Sequence, residues 1–150
     1  MARSSRERRH GVADRRLIRL DFRDRVQDVW DESVPIIRQN VLEGVGVSPE
    51  HLGDKEFLLA AADKLCSALS LEIVERYVHE FAIDSEGSGF TVVVLLSESH
   101  LAMHTWPERR YVHVDLVTCK KVSKSALDEL SQTFVDTFTP SHVRGFSAKY

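Results

Sequence analysis

The residues best equipped for chemistry crowd into one stretch, Ser97-Glu98-Ser99-His100-Leu101-Ala102-Met103-His104-Thr105-Trp106-Pro107-Glu108. It holds two serines, two histidines and two glutamates. A serine hydroxyl can attack a carbonyl, and an imidazole moves protons in both directions near neutral pH. A further candidate, Cys119, closes the next apolar run. Familiar catalytic signatures are missing: there is no G-x-S-x-G elbow, no Walker loop and no dinucleotide fingerprint. His100 and His104 are four apart, but in a strand-like context they do not share a helix face. Cys66 and Cys119 are not at zinc-finger spacing, so no metal is expected. What remains is a serine, a histidine five residues later and a cysteine at the end of a neighbouring strand.

These side chains need elements to hold them. Phe90 to Ser97 is rich in Val and Leu and reads as a strand, with positions 91, 93, 95, 97 and 99 on one face if it runs straight. On that parity Thr91 shares a face with Ser99. Tyr111 to Cys119 alternates apolar and polar residues and predicts another strand. Upstream, Leu17 to Phe22 reads as a first strand. Residues 26–44 read as a helical insertion, with Val29, Trp30, Val34, Ile37 and Val41 at helical spacing, Ser33 as cap, Pro35 in a first turn and Gly44 as stop. Ser48-Pro49-Glu50 opens a short turn of helix. A longer helix follows Asp54, with Phe57, Leu58, Ala61, Leu65 and Leu69 on one stripe and Cys66 beside it as a buried, inert thiol.

Leu71 to Phe81 reads as a strand and residues 84–89 as a turn. Ser123 caps a helix through Leu127, Leu130, Phe134 and Val135 that ends at Pro140, and residues 142–146 predict a last short strand. This order predicts an α+β fold, a two-layer sandwich of an antiparallel sheet with helices on one face. The uncovered face of such a sheet commonly pairs, so a dimer is expected.

Composition narrows the class. The chain has 150 residues, of which 43% are hydrophobic and 29% charged, the balance of a globular domain. No apolar run approaches a membrane span, and the basic N-terminus lacks the apolar stretch of a secretory signal. Two cysteines are too few for a disulfide framework and fit a reduced, cytoplasmic setting. Residues 1–25 carry nine arginines against four acids. Residues 1–15 read as a basic arm ahead of one domain over 16–150. No aromatic residue precedes Phe22 to stack on a base, so a nucleic-acid partner is not expected.

The run Glu98-Ser99-His100-Leu101-Ala102-Met103-His104-Thr105-Trp106-Pro107-Glu108, followed by Val114-Asp115-Leu116-Val117-Thr118-Cys119, resembles the small prokaryotic S-adenosylmethionine decarboxylases. The spacings from serine to histidine and from serine to cysteine match as well. Weaker similarity runs through Ser48-Pro49-Glu50-His51-Leu52-Gly53-Asp54-Lys55-Glu56-Phe57 and His79-Glu80-Phe81. The resemblance implies a proenzyme that cuts itself between Glu98 and Ser99. Ser99 attacks the Glu98 carbonyl, the peptide becomes an ester, and β-elimination leaves a pyruvoyl group made from Ser99. That covalent group would replace pyridoxal phosphate: it forms a Schiff base with the substrate amine and accepts the electron pair released as CO2 departs. By the same resemblance His104 is the acid/base for processing, Cys119 the proton donor to the substrate carbon, and Thr91 a hydroxyl that assists processing. Glu108, Phe81 and Leu101 belong to the substrate pocket, Glu108 for the ribose hydroxyls and Phe81 for the adenine. The product would feed polyamine (spermidine) biosynthesis, and the active form would be a homodimer of cleaved protomers.

The chain departs from the family in places. The turn after Phe81 is longer than usual. Arg109-Arg110 stands where the family has histidine-glycine, and Lys120-Lys121 replaces a glycine after the cysteine. These four cations would sit near the ends of the catalytic strands, suited to a carboxylate and unfavourable to a sulfonium. Relatives on the same scaffold decarboxylate ornithine or arginine, which remains the alternative substrate class. A non-catalytic regulatory relative is the third reading, opposed by intact Ser99, His104 and Cys119.

Overall fold

A computed structural model describes residues 37–83 and 87–149. Six strands form one antiparallel sheet: β1 (Arg38–Val45), β2 (Ile73–Ile83), β3 (Gly87–Leu96), β4 (Ser99–Trp106), β5 (Tyr111–Thr118) and β6 (His142–Lys149). Their spatial order is β2-β3-β4-β5-β1-β6. The described residues also form helices α1 (Pro49–Leu52), α2 (Lys55–Ala68) and α3 (Lys124–Phe138) and a 3₁₀ turn over Pro107–Arg109. The expected two-layer α+β architecture is present.

Alternation builds the sheet. In β5, Val112, Val114, Leu116 and Thr118 are buried, while Tyr111, His113, Asp115 and Val117 are half-buried on the other side. Phe90, Val92, Val94 and Leu96 of β3, with Leu101 and Met103 of β4, join the same buried set. Against it lie Leu58, Ala61, Ala62, Leu65 and Cys66 of α2 and Leu130, Phe134 and Phe138 of α3. Helices α2 and α3 start where a cap side chain satisfies orphan amides. Asp54 Oδ1 accepts from the amides of Glu56 and Phe57 at 2.9 and 3.2 Å. Ser123 Oγ accepts from Ala126 N at 3.1 Å. Helix α3 stops at Thr139, which takes a left-handed φ of 43° ahead of Pro140. Cys66 is buried, and burial pushes its thiol up to about 12, in keeping with an inert core thiol.

The helical insertion expected over 26–44 needs correcting where it can be seen. Residues 38–44 lie in strand β1, inside the sheet between β5 and β6. Its Asn40, Leu42 and Gly44 turn toward the helices. A side chain at Gly44 would meet Phe134, Pro140 and Val112 at 3.2 Å. That close packing favours the strand over the weak helical periodicity of this segment. The expected strand over 17–22, the basic arm and the remainder of the insertion lie outside the described residues. The turn expected over 84–89 is shortened, since β3 begins at Gly87. Among the described residues, no helix is long and apolar enough to cross a membrane.

Candidate active site

The candidate residues fall into two groups at opposite ends of the sheet. The first surrounds the tip of the β3–β4 hairpin. Leu96 pairs with Ser99, so Ser97 and Glu98 form a two-residue reversal. Ser97 N anchors it on Glu72 O at 3.1 Å. Ser99 opens β4 and is flanked by Leu96 on β3 and Thr118 on β5. Cys119 follows β5 directly, and its thiol donates to the carbonyl oxygen of Glu98, with Sγ 3.0 Å away. A donor at that oxygen draws electron density from the carbonyl carbon, the atom that a hydroxyl at Ser99 would attack.

The second group lies on the sheet face that, among the described residues, no helix covers. Thr91 and His104 are register partners, and Thr91 Oγ1 hydrogen-bonds His104 Nδ1 at 3.0 Å. His104 pairs on its other side with His113, ring centroids 6.2 Å apart. Partial burial, and then the neighbouring His113, hold the His104 imidazole below its ordinary value, against a weaker opposing pull from Asp115. Trp106 continues the row, 6.1 Å from His104, 6.3 Å from Phe81 and 5.4 Å from Tyr111. Phe81 lies over Gly89, where any Cβ would come within 2.5 Å of its ring. Glu108 sits in the 3₁₀ turn Pro107–Arg109 that joins β4 to β5, its carboxylate 3.3 Å from Arg109 Nε.

Three expectations change. Thr91 and Ser99 are on opposite faces, because the reversal at Ser97-Glu98 ends the straight strand on which their shared parity depended. Ser99 shares the helix side with Leu96 and Thr118, both buried, whereas Thr91 stands with His104 on the open side. The Leu101 side chain is fully buried in the helix-side core and so lies away from the open-face group. The cations also act differently from the electrostatic expectation. Arg110 takes a left-handed φ of 51° and donates to the carbonyls of Val47 and Gly46, both at 3.2 Å. Lys120 Nζ donates to Ser70 O at 2.8 Å. These two tie loops together, and Arg109 faces Glu108.

One cluster escaped the sequence reading. Glu43 accepts hydrogen bonds from Tyr111 and Arg144 and lies 3.6 Å from His113 Nδ1. The Arg144 contact and the Tyr111 hydroxyl hold its carboxyl down to about 2, against the opposing effect of burial. Burial and Glu43 push the Tyr111 phenol up to about 12. The polar parity of β5, with Tyr111, His113 and Asp115 on one face, was its available signal. Glu43 was hidden by the helical reading of its segment.

A family model described as S-adenosylmethionine decarboxylase matches residues 38–149, from the start of β1 to the end of β6. The S-adenosylmethionine decarboxylase proenzyme of Clostridium botulinum strain Hall is 35% identical over 81 residues, covering 54% of this chain and 66% of that protein. The match therefore spans just under two thirds of that relative's length. The proenzyme of the same name from Archaeoglobus fulgidus is 32% identical over 114 residues, 71% of this chain and 96% of that protein. In fold, the chain is similar to the crystal structure of the adenosylmethionine decarboxylase from Aquifex aeolicus. The TM-score is 0.64 and the identity 21%, with 76% of this chain and 89% of the other covered.

Proposed function

The chain belongs to the S-adenosylmethionine decarboxylase family, and on that premise we propose that it is a self-processing decarboxylase of S-adenosylmethionine. The observation that carries this reading is the Cys119 thiol on the Glu98 carbonyl at 3.0 Å. Ser99 Oγ adds to that carbonyl carbon, the amide nitrogen takes a proton and leaves, and an ester joins Glu98 to the Ser99 side chain. Loss of the Ser99 α-proton expels the Glu98 carboxylate. Hydrolysis of the resulting enamine releases ammonia and leaves a pyruvoyl group at the head of β4.

The surroundings of Ser99 fit such a group. The cut falls in a two-residue reversal, and β4 stays laddered to β3 and β5 on both sides. The new ends therefore separate without unravelling the sheet. Once formed, the pyruvoyl group supplies an electrophilic carbonyl and an electron sink for loss of CO2. Cys119 Sγ holds a proton beside it for return to the substrate carbon. The aromatic row of Phe81, Trp106 and Tyr111 next to Glu108 supports an adenosine substrate, offering a stacking surface and an acceptor for ribose hydroxyls. Two free cysteines fit a cytoplasmic setting.

One chain does not bring these parts together. Five residues of extended strand separate His104 from Ser99, about 16 Å, and their side chains take opposite faces. Val45, Tyr77, Leu95 and Phe146 also leave apolar surface on the open face, which favours cover by a partner. In the proposed homodimer, two open faces meet about a two-fold axis with the His104 end of each chain against the Ser99 end of the other, and the β3–β4 hairpin tip turns Ser99 from the helix side to that interface for cleavage. Co-expression of S99A and H104A chains tests this arrangement. Cleavage of the H104A chain only when S99A chains are present supports it, and an H104A chain that stays equally uncut in the mixture contradicts it. CO2 release from S-adenosylmethionine, ornithine and arginine, measured side by side, tests the substrate; release from either amino acid in preference would overturn the adenosine assignment.

A further inference from the structure

The open face carries a polar cluster that the proposed chemistry leaves unused. His113 is the register partner of His104 across β4 and β5, their rings 6.2 Å apart and tilted by 34°. On its far side, His113 Nδ1 lies 3.6 Å from Glu43 Oε1. Glu43 is fixed from two further directions by the Tyr111 hydroxyl and Arg144 Nε. The neighbours of His104 are of a different kind. Thr91 offers a neutral hydroxyl at Nδ1, and Trp106 offers a ring. Asp115, on the same face of β5, receives the Gln39 side-chain amide on both carboxylate oxygens, at 3.1 and 3.0 Å.

We infer that His113, backed by Glu43, is a positioning residue that keeps His104 in its neutral, proton-accepting form. The role assumed for His104 rests on the function proposed above. Two imidazolium rings at this separation repel by the equivalent of about 0.5 pH units in bulk water and about 2 at an effective dielectric of 20. Charge on one ring therefore opposes charge on the other. Glu43 lies 3.6 Å from His113, so a positive charge is better placed there than at His104, whose partner is a neutral hydroxyl. A proton on His113 then opposes one on His104. Partial burial of His104 acts in the same direction, and Asp115 opposes it. The remaining charged or titratable groups facing this region are His79 on β2, which pairs with Thr91, and Arg144 on β6, beyond Glu43. Cover by a second copy adds burial and strengthens the effect.

The test uses the full-length S99A chain, which cannot cut itself, labelled on histidine. NMR follows the His104 Cε1–H resonance against pH with His113 intact, with H113Q and with H113K; H113N replaces H113Q if that variant fails to fold. The expected result is a His104 midpoint raised by about 0.5 to 2 pH units in H113Q and not raised in H113K. In the self-cutting background, the acid limb of the cleavage rate moves the same way as the midpoint. A midpoint unchanged or lowered in H113Q, or raised equally in H113K, overturns the inference. Because the NMR reading comes from an uncut chain, its failure is distinct from a failure of self-processing.

Discussion

Replacing Cys119 by alanine removes a side chain that donates to the Glu98 carbonyl, the proposed point of cleavage. As Ser99 adds, that oxygen gains negative charge, and a donor already 3.0 Å away stabilises the charge without reorganisation. Loss of a strong, buried oxyanion donor costs about a hundredfold to a thousandfold in rate. A thiol is a weaker donor, and Cys119 is exposed, so water replaces part of its contribution. The expected loss in C119A is therefore about tenfold, or ~1.4 kcal/mol of barrier. Freshly purified protein, sampled over time at fixed pH and resolved by denaturing electrophoresis, gives the cleavage rate directly. C119S retains an O–H donor and is expected to recover much of that rate. Turnover of already cleaved C119A should fall further than cleavage if, as proposed, the same thiol carries the proton returned to the substrate carbon. C119A cleaving at the wild-type rate would refute the electrophilic role. C119S as slow as C119A would show that donation is not what the sulfur contributes.

Other expectations follow from particular contacts. Thr105 is fully buried; its hydroxyl donates to Leu52 O at 2.9 Å and accepts from Phe90 N at 3.0 Å. T105V keeps the shape but strips both groups of a partner, so unfolding free energy should fall by about 1–3 kcal/mol, read from urea midpoints. The Glu43 carboxyl is lowered from 4.5 to about 2, chiefly by Arg144. Its stabilising contribution is therefore complete above about pH 4.5 and is lost as pH falls through about 2. E43Q should flatten acid unfolding across that window, and an unchanged acid profile would remove Glu43 from it. T91V deletes the hydrogen bond at His104 Nδ1 and should slow cleavage about fivefold, the equivalent of ~1 kcal/mol. T91S should restore the rate, and equal rates in all three chains would exclude the contact.

Much of the fold was legible because burial and period agreed. The alternation of β5, the stripe on α2 and the cap Ser123 each announce their element. The Ser97-Glu98 reversal was not legible. Two-residue hairpin loops usually need positive φ and so display Gly or Asn, yet neither Ser97 nor Glu98 is left-handed. The apolar run therefore read as continuous, and Ser99 was placed on the face of Thr91. Strand β1 was missed for a related reason. Its pattern is settled by pairing with β5 and β6, distant in sequence, while local spacing suggested a helix. The Glu43–His113 cluster was hidden with it. Arg110 illustrates the opposite limit: its charge was visible, but the left-handed turn that aims it at two backbone carbonyls was not.

Self-cleavage at Glu98–Ser99 is the central claim, and intact-mass measurement under denaturing conditions tests it most directly. Two fragments are expected in place of the 17.1 kDa chain. One ends at Glu98, and the other begins at position 99 and is lighter by one ammonia than a serine-started fragment. S99A should remain whole. A wild-type chain that stays uncut after prolonged incubation, or a cut that persists in S99A, would contradict it.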